Sequence, residues 1–288
     1  MNSETVLYQL TETSKFMMSF VLVTKQNNVI VIDGGRPEDM PLLKEYIGGR
    51  HISAWILTHA HMDHISGFVD EMAKNGGADF DIEAVYYHFP PYEEWKLIEN
   101  VPDLGYFRRE IEGMLPSFAK IEPLLGDRAH IVEQGDHFEV DECRVDFLFS
   151  FHDGLYSNPM NDSSLVFRVT TPNKKVLFLG DLGPDGGDLL YNESRHQLKA
   201  DIVQMAHHGH MNVGMEVYAA IAPEACMWCC ADWLYNAPEI PTYLADREKL
   251  RRMGRIRMYG TAVTRRWMEQ LGVKTHYVTK DGTNRIVL

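Results

Sequence analysis

The apolar run ISAWIL, residues 52–57, leads directly into THAHMDH, residues 58–64. Burying polar side chains without partners is costly. Three imidazoles and a carboxylate at the end of a buried strand therefore need either solvent or something to hold. A second short stretch, His207-His208-Gly209-His210, follows the apolar run Asp201–Met205, and six of the thirteen histidines fall in these two places. Both stretches lie just past the C-terminal end of a predicted strand. In α/β architectures that edge is where loops converge and ligands gather.

Periodicity supports such an architecture. Phe20–Thr24 and Val29–Ile32 read as a hairpin around Gln26-Asn27-Asn28, and Asp33-Gly34-Gly35 breaks the second strand. A helix is predicted over Pro37–Ile47, a strand over Ile52–Leu57, a helix over Ile65–Lys74 and a strand over Ile82–Tyr87. Strands resume at Ala129–Val132, His137–Val140, Arg144–Phe151, Ser164–Thr170 and Val176–Leu179, the last ending in Gly180-Asp181. A helix near Leu189–Leu198 precedes the strand Asp201–Met205. The tail alternates helix (Met215–Ile221), strand (Ala225–Cys230), helix (Ala262–Leu271) and strands (Lys274–Thr279, Asn284–Leu288). With 45% hydrophobic and 24% charged residues the composition is that of a globular protein. No repeat or Gly/Ser linker divides the chain. The expectation is one α/β domain over residues 1–288, with a helical, aromatic-bearing insertion at about 90–122 and a variable segment at about 231–258.

Lys plus Arg total 28 against 41 Asp plus Glu, a formal net charge of −13. This disfavours attraction to a polyanion, so a small-molecule ester is expected as partner rather than nucleic acid. The basic segment Arg247–Arg257 is the local reversal; a solvated helix face is preferred there over a phosphate-binding or acidic-partner surface. The N-terminal MNSETVLYQL lacks a signal-peptide pattern, and Phe16–Val23 is far too short to span a bilayer. No membrane partner is expected. Cys226, Cys229 and Cys230 crowd the segment CMWCC, and Cys143 cannot supply the second pair that a zinc knuckle needs. Buried thiols in a reducing, cytoplasmic setting are the expectation. Oligomeric state is not legible.

Neutral imidazoles and carboxylates suit Zn²⁺ first, with manganese or iron as alternatives. Seven positions are too few for four groups to reach one ion. His59 and His61, two apart in an extended loop, point the same way, whereas Asp63 and His64 follow after the chain turns. Two adjacent ions are the natural reading. Asp181, ending VLFLGD, is placed to bridge them, and His207 or His208 would complete the second site. The competing readings are a plain polar loop for THAHMDH, a strand-capping aspartate for Asp181, and packing for the paired histidines.

HAHMDH resembles the H-x-H-x-D-H signature of the metallo-β-lactamase superfamily. The Asp33-Gly34-Gly35 turn and the VLFLGD strand extend the resemblance across nearly the whole chain. It implies an α/β fold, a four-layer αββα sandwich of the metallo-β-lactamase type, with a dinuclear site at one sheet edge. His59 and His61 would hold the first ion, Asp63 and His64 the second, and Asp181 would bridge. His207 is taken as the further metal ligand; Asp63 and His208 are taken as catalytic, as proton acceptor and as substrate-oxygen or leaving-group partner. Many members place another histidine between the two halves, but NPMNDSSLVFRV has none. Asn161, Asp162, His152 or water would stand in.

NDSSLVFRV, FLGD and AHHG resemble a branch containing the hydrolase domains of bacterial DNA-uptake channels and the phosphorylcholine esterases. The branch implies hydrolysis by metal-bound hydroxide, of a small phosphoester or phosphodiester first. A β-lactam, lactone or thioester is the alternative. A non-hydrolytic metal or iron redox protein is the alternative from another class; redox diiron members want an acidic ligand where His61 stands, which favours hydrolysis. Tyr86, Tyr87, Phe89, Tyr92, Trp95, Tyr106, Phe107, Trp228, Trp233 and Tyr235 are candidates to wall a pocket, with core packing the commoner fate.

Overall fold

Strands β2 (Ser19–Val23) and β3 (Val29–Asp33) are apolar along almost their whole length. Unbroken apolar runs mark strands covered on both faces. Successive side chains point opposite ways: Phe20, Leu22, Ile30 and Ile32 enter the core between two sheets, while Val21, Val23, Val29 and Val31 meet the helical layer. This computed structural model describes residues 2–15, 17–91, 113–152, 159–237 and 260–288.

The first sheet runs in the order β14 (Asn284–Val287), β1 (Val6–Gln9), β2, β3, β4 (Ile52–Ile56), β5 (Val85–Tyr87), β6 (Ala129–Ile131). The second runs β13 (Thr275–Val278), β12 (Ala225–Trp228), β11 (Ile202–Gln204), β10 (Lys175–Phe178), β9 (Val166–Thr170), β8 (Cys143–Phe149), β7 (His137–Val140). Each is antiparallel on one side and parallel on the other, with β3 to β6 and β10 to β13 forming the parallel halves. Helices α1 (Met40–Ile47), α2 (Met62–Asn75) and α3 (Leu115–Leu125) cover the first sheet. A short helix, α4 (Pro159–Asp162), leads into β9. Helices α5 (Pro184–Ser194), α6 (Met215–Ile221) and α8 (Thr261–Gln270) cover the second sheet, with the single-turn α7 (Asp232–Tyr235) beside them. The architecture is the four-layer αββα sandwich that the resemblance implies.

Several boundaries differ from the periodicity reading. Strand β1 was not foreseen; it pairs antiparallel with both β2 and β14. Helix α2 begins at Met62, inside the histidine motif, with His61 as its extended N-cap residue. Asp63 and His64 thus belong to a helical first turn, where a carboxylate complements the helix dipole. Helix α5 starts at Pro184 and carries Gly186-Gly187 within it, a case of tertiary packing overriding propensity. Of the expected insertion, α3 lies among the described residues, whereas 92–112 do not. Tyr92, Trp95, Tyr106, Phe107 and Arg247–Arg257 also fall outside the described residues.

The parallel strands β4, β10, β11 and β12 all open on one rim. THAHMDH leaves β4, Gly180-Asp181 follows β10, AHHG follows β11, and Cys229 follows β12. Thr58 O accepts from Leu165 N at 2.9 Å, and Gly180 O accepts from His207 N at 3.1 Å, tying these loops together.

Candidate metal centre

Thr58 stands two residues past the end of β4, and its amide and hydroxyl donate to the two oxygens of buried Asp33 at 2.8 Å each. Since that hydroxyl donates to Asp33, it accepts from His59 Nδ1 at 3.1 Å. His64 Nδ1 donates to Asp33 Oδ2 at 2.7 Å. Both rings are thereby fixed with Nδ1 protonated and Nε2 facing the rim, as ligating histidines are held. On the opposite side, His208 Nδ1 donates to the Cys229 carbonyl at 2.7 Å and presents Nε2. Asp181 N donates to Ser164 Oγ at 3.0 Å, which aims its carboxylate at the same point.

The outcome is two adjoining triads, His59–His61–Asp181 and Asp63–His64–His208, each with ligand atoms within 4.8 Å of one another. His59 Nε2 lies 2.9 Å from His61 Nδ1 and 3.8 Å from Asp181 Oδ2. His208 Nε2 lies 3.1 Å from Asp63 Oδ2 and 3.4 Å from Asp181 Oδ2. Asp181 Oδ1 lies 3.3 Å from His64 Nε2, so the carboxylate stands between the triads, with Oδ2 shared by His59 and His208.

Charge follows from burial. Desolvation holds His59 well below the usual histidine range and brings His61 down to about 4. Burial also opposes charge on His64 and His208. There the carboxylates win: Asp181 and Asp33 push His64 well up, and Asp181 and Asp63 bring His208 up to about 10. Burial works against ionising Asp63 and Asp181, yet both are held below the carboxylate range, Asp63 by His208 and Asp181 by His64 and His208. Two buried carboxylates kept ionised need positive charge among them, which in the metal-free site His64 and His208 supply.

The family model of the metallo-β-lactamase superfamily matches residues 16–217. The chain belongs to the metallo-β-lactamase superfamily. Among solved structures it is similar to the metallo-β-lactamase fold protein YhfI from Bacillus subtilis, at 12% identity and a TM-score of 0.56, covering 98% of this chain and 100% of that one. It is also similar to CmlA, a diiron β-hydroxylase from Streptomyces venezuelae, at 12% identity and a TM-score of 0.55, covering 100% of this chain and 55% of that one. At such identities the likeness concerns the fold. No curated protein matches the sequence.

Superfamily members typically hold divalent metal ions, and the residues here fit them. His64 Nε2 and Asp181 Oδ1 are buried, 3.3 Å apart, and make no hydrogen bond. Two ligands about 2.0–2.1 Å from one tetrahedral ion lie roughly 3.3 Å apart. The spacing fits an ion between them, which would take the place of the proton that His64 otherwise holds there.

His207, read from sequence as a ligand, stands outside both triads, while His208, read as catalytic, stands inside one. The reason is the turn: residues 207 and 208 are both left-handed, with φ of 47° and 53°, and Cys229 anchors the second ring. His207 Nε2 instead meets Asn161 Nδ2 at 3.2 Å. Asp162 Oδ1 accepts from Gly186 N at 3.1 Å, and His152 lies 3.9 Å from Glu193. Sequence reasoning gives Asp33 no role at the site; its D-G-G turn reads there as a strand break and as part of the family resemblance. Tyr86 stacks on Phe138, and Tyr87 and Phe89 pack on Phe118. Trp228 is fully buried, whereas Trp233 is exposed. All four cysteines are buried and free. No helix among the described residues is long and apolar enough to cross a membrane.

Proposed function

We propose that this chain is a dinuclear metal-dependent hydrolase of small phosphoesters or phosphodiesters, with zinc as the preferred metal and the cytoplasm as its setting. One observation carries the reading: the Asp181 carboxylate sits between two His/Asp triads, with Oδ1 beside His64 and Oδ2 shared between His59 and His208. When bound, the cations would acidify a water molecule and offset charge on the attacked phosphoryl oxygen. The ligands would be His59, His61 and Asp181 for one ion, and Asp63, His64, His208 and Asp181 for the other.

The remaining work falls to the chain. Asp33 and Thr58 hold His59 and His64 with Nε2 turned to the metal positions, so the rings need no reorientation. Asp63, kept ionised beside His208, accepts a proton or hydrogen bond from the attacking water. With His208 among the ligands, Asp63 is the one catalytic group retained from the sequence reading. The histidine at position 61 supports hydrolysis over iron redox chemistry. The net charge of −13 supports a small substrate over a polymer.

Metal analysis of the purified protein, followed by assays on bis-p-nitrophenyl phosphate, nitrocefin and a lactone, tests this. Two divalent ions per chain and preferential turnover of the phosphodiester are expected. Preference for nitrocefin or the lactone would move the substrate class. Inactivity on all three with iron bound would replace hydrolysis by the redox reading.

A further inference from the structure

We propose that His207 is the fourth protein ligand of the first ion, standing in for the histidine that segment 158–169 lacks; this rests on the dinuclear reading above. Its anchoring is the first argument. His207 Nδ1 lies 3.3 Å from the Met211 carbonyl, as His208 Nδ1 lies 2.7 Å from that of Cys229. A carbonyl oxygen only accepts, so Nδ1 carries a proton in both rings; the Nε2 of His207 keeps a lone pair, onto which Asn161 Nδ2 donates, whereas the Nε2 of His208 faces Asp63 Oδ2 at 3.1 Å. Neighbouring residues of one turn thus both anchor Nδ1 on a backbone carbonyl and turn Nε2 toward the Asp181 carboxylate.

Position is the second argument. His207 Nε2 is 4.0 Å from Asp181 Oδ2, and His59 Nε2 is 3.8 Å from that same oxygen. His207 Nε2 is taken up at present by Asn161, whose Nδ2 approaches it at 3.2 Å. Asn161 is 2% exposed, and its Oδ1 is buried without a hydrogen-bond partner. An amide half spent on an imidazole lone pair and half orphaned marks a place built for another group. Ligation by His207 breaks the Asn161 contact, draws the ring inward and leaves the amide to donate to a substrate oxygen. Asp162, engaged with Gly186 N at the start of α5, and His152, beside Glu193, are directed elsewhere.

The test is metal affinity in the full chain. Zinc is titrated against a chromophoric chelator, cadmium-113 NMR is recorded on the cadmium-loaded protein, and circular dichroism confirms folding. The variants are H207N, because asparagine tolerates a left-handed backbone, and N161A. Loss of a group that merely supports a ligand weakens binding by roughly 10–100-fold. H207N is expected to exceed that for one ion, to leave the other ion unchanged, and to remove or shift one of two cadmium resonances. N161A is expected to keep both ions, the first bound as tightly or more tightly. Wild-type affinity for both ions in H207N, or loss of the first ion in N161A, would overturn the assignment of His207. Fewer than two ions in the wild-type protein would instead strike the dinuclear reading, and this assignment with it.

Discussion

The two sides of the metal pocket are built by opposite means. On the first sheet, THAHMDH passes from β4 into α2, and none of residues 58–64 has a positive φ. Helix geometry itself sets Asp63 and His64 beside the extended His59 and His61. On the second sheet the chain turns through left-handed conformations at Gly180, His207, His208, Gly209 and Met211, with φ of 55°, 47°, 53°, 90° and 44°. Non-glycine residues held there cost free energy and persist only where the surroundings over-determine them. One side thus carries its ligands on regular structure, with the left-handed Asp33 (φ 54°) supporting them from behind. The other is a strained crossing held in place by its neighbours.

Asp181 is where the two sides meet, so its loss should have the largest effect. Asp181→Ala is expected to lower bound metal well below two per chain and turnover by on the order of 10³-fold or more. His61→Ala, which touches one triad, should spare the ion held by Asp63, His64 and His208. Metal analysis of both variants checks this; two ions and near-normal turnover in the Asp181 variant would remove the basis for a shared bridge.

The next effect separates strained backbone from regular backbone. A Cβ on Gly209 would lie 2.3 Å from the Trp228 ring, at a φ of 90°. Gly209→Ala is expected to destabilise the fold by about 2–3 kcal/mol. Met62, inside the first motif, is 53% exposed, and Met62→Ala should stay within about 0.5 kcal/mol. Denaturant melts of the two metal-free variants make the comparison. Equal stabilities would mean the AHHG turn is not the constrained element described here.

The same division explains what the sequence made legible. THAHMDH could be read because strand, N-cap and first helical turn are local, and ligand spacing follows from them. The positions of the β-strands after residue 129 were likewise recovered within a residue or two. Which of His207 and His208 enters a triad could not be read. That choice depends on consecutive left-handed residues, on the Cys229 carbonyl from a neighbouring strand and on Trp228 packing over Gly209. Strand β1 escaped notice because four residues, VLYQ, carry little periodicity of their own. The role of Asp33 depends on a partner 31 positions away, His64.

Asp33 offers a smaller, sharper probe of the regular side. It is fully buried and orients His64 and Thr58 without belonging to either triad. Asp33→Asn keeps the shape and removes the charge. Affinity for the ion at Asp63, His64 and His208 should fall roughly 10–100-fold, with the ion at His59 and His61 affected less, through Thr58. Chelator competition resolves the two. An equal loss at both would show that Asp33 supports the pocket as a whole rather than one ring.

The smallest effect is a difference in pH response between the ions. His59 and His61 are held below their ordinary range by burial, His61 at about 4, so near neutral pH they already offer lone pairs. His64 and His208 are held above it by carboxylates despite burial, His208 at about 10. In the metal-free protein these two keep protons that an ion must displace. A group whose pKa lies above the working pH binds metal more weakly as pH falls, because the proton competes. Affinity at the Asp63–His64–His208 triad should therefore rise about tenfold per pH unit for each proton displaced between pH 6 and 9. The His59–His61–Asp181 triad should change little over that range. Zinc affinities measured across it, with proton release followed in two buffers of different ionisation enthalpy, read the contrast directly; parallel pH slopes for the two ions would mean that the carboxylates do not divide their charge between the triads in this way.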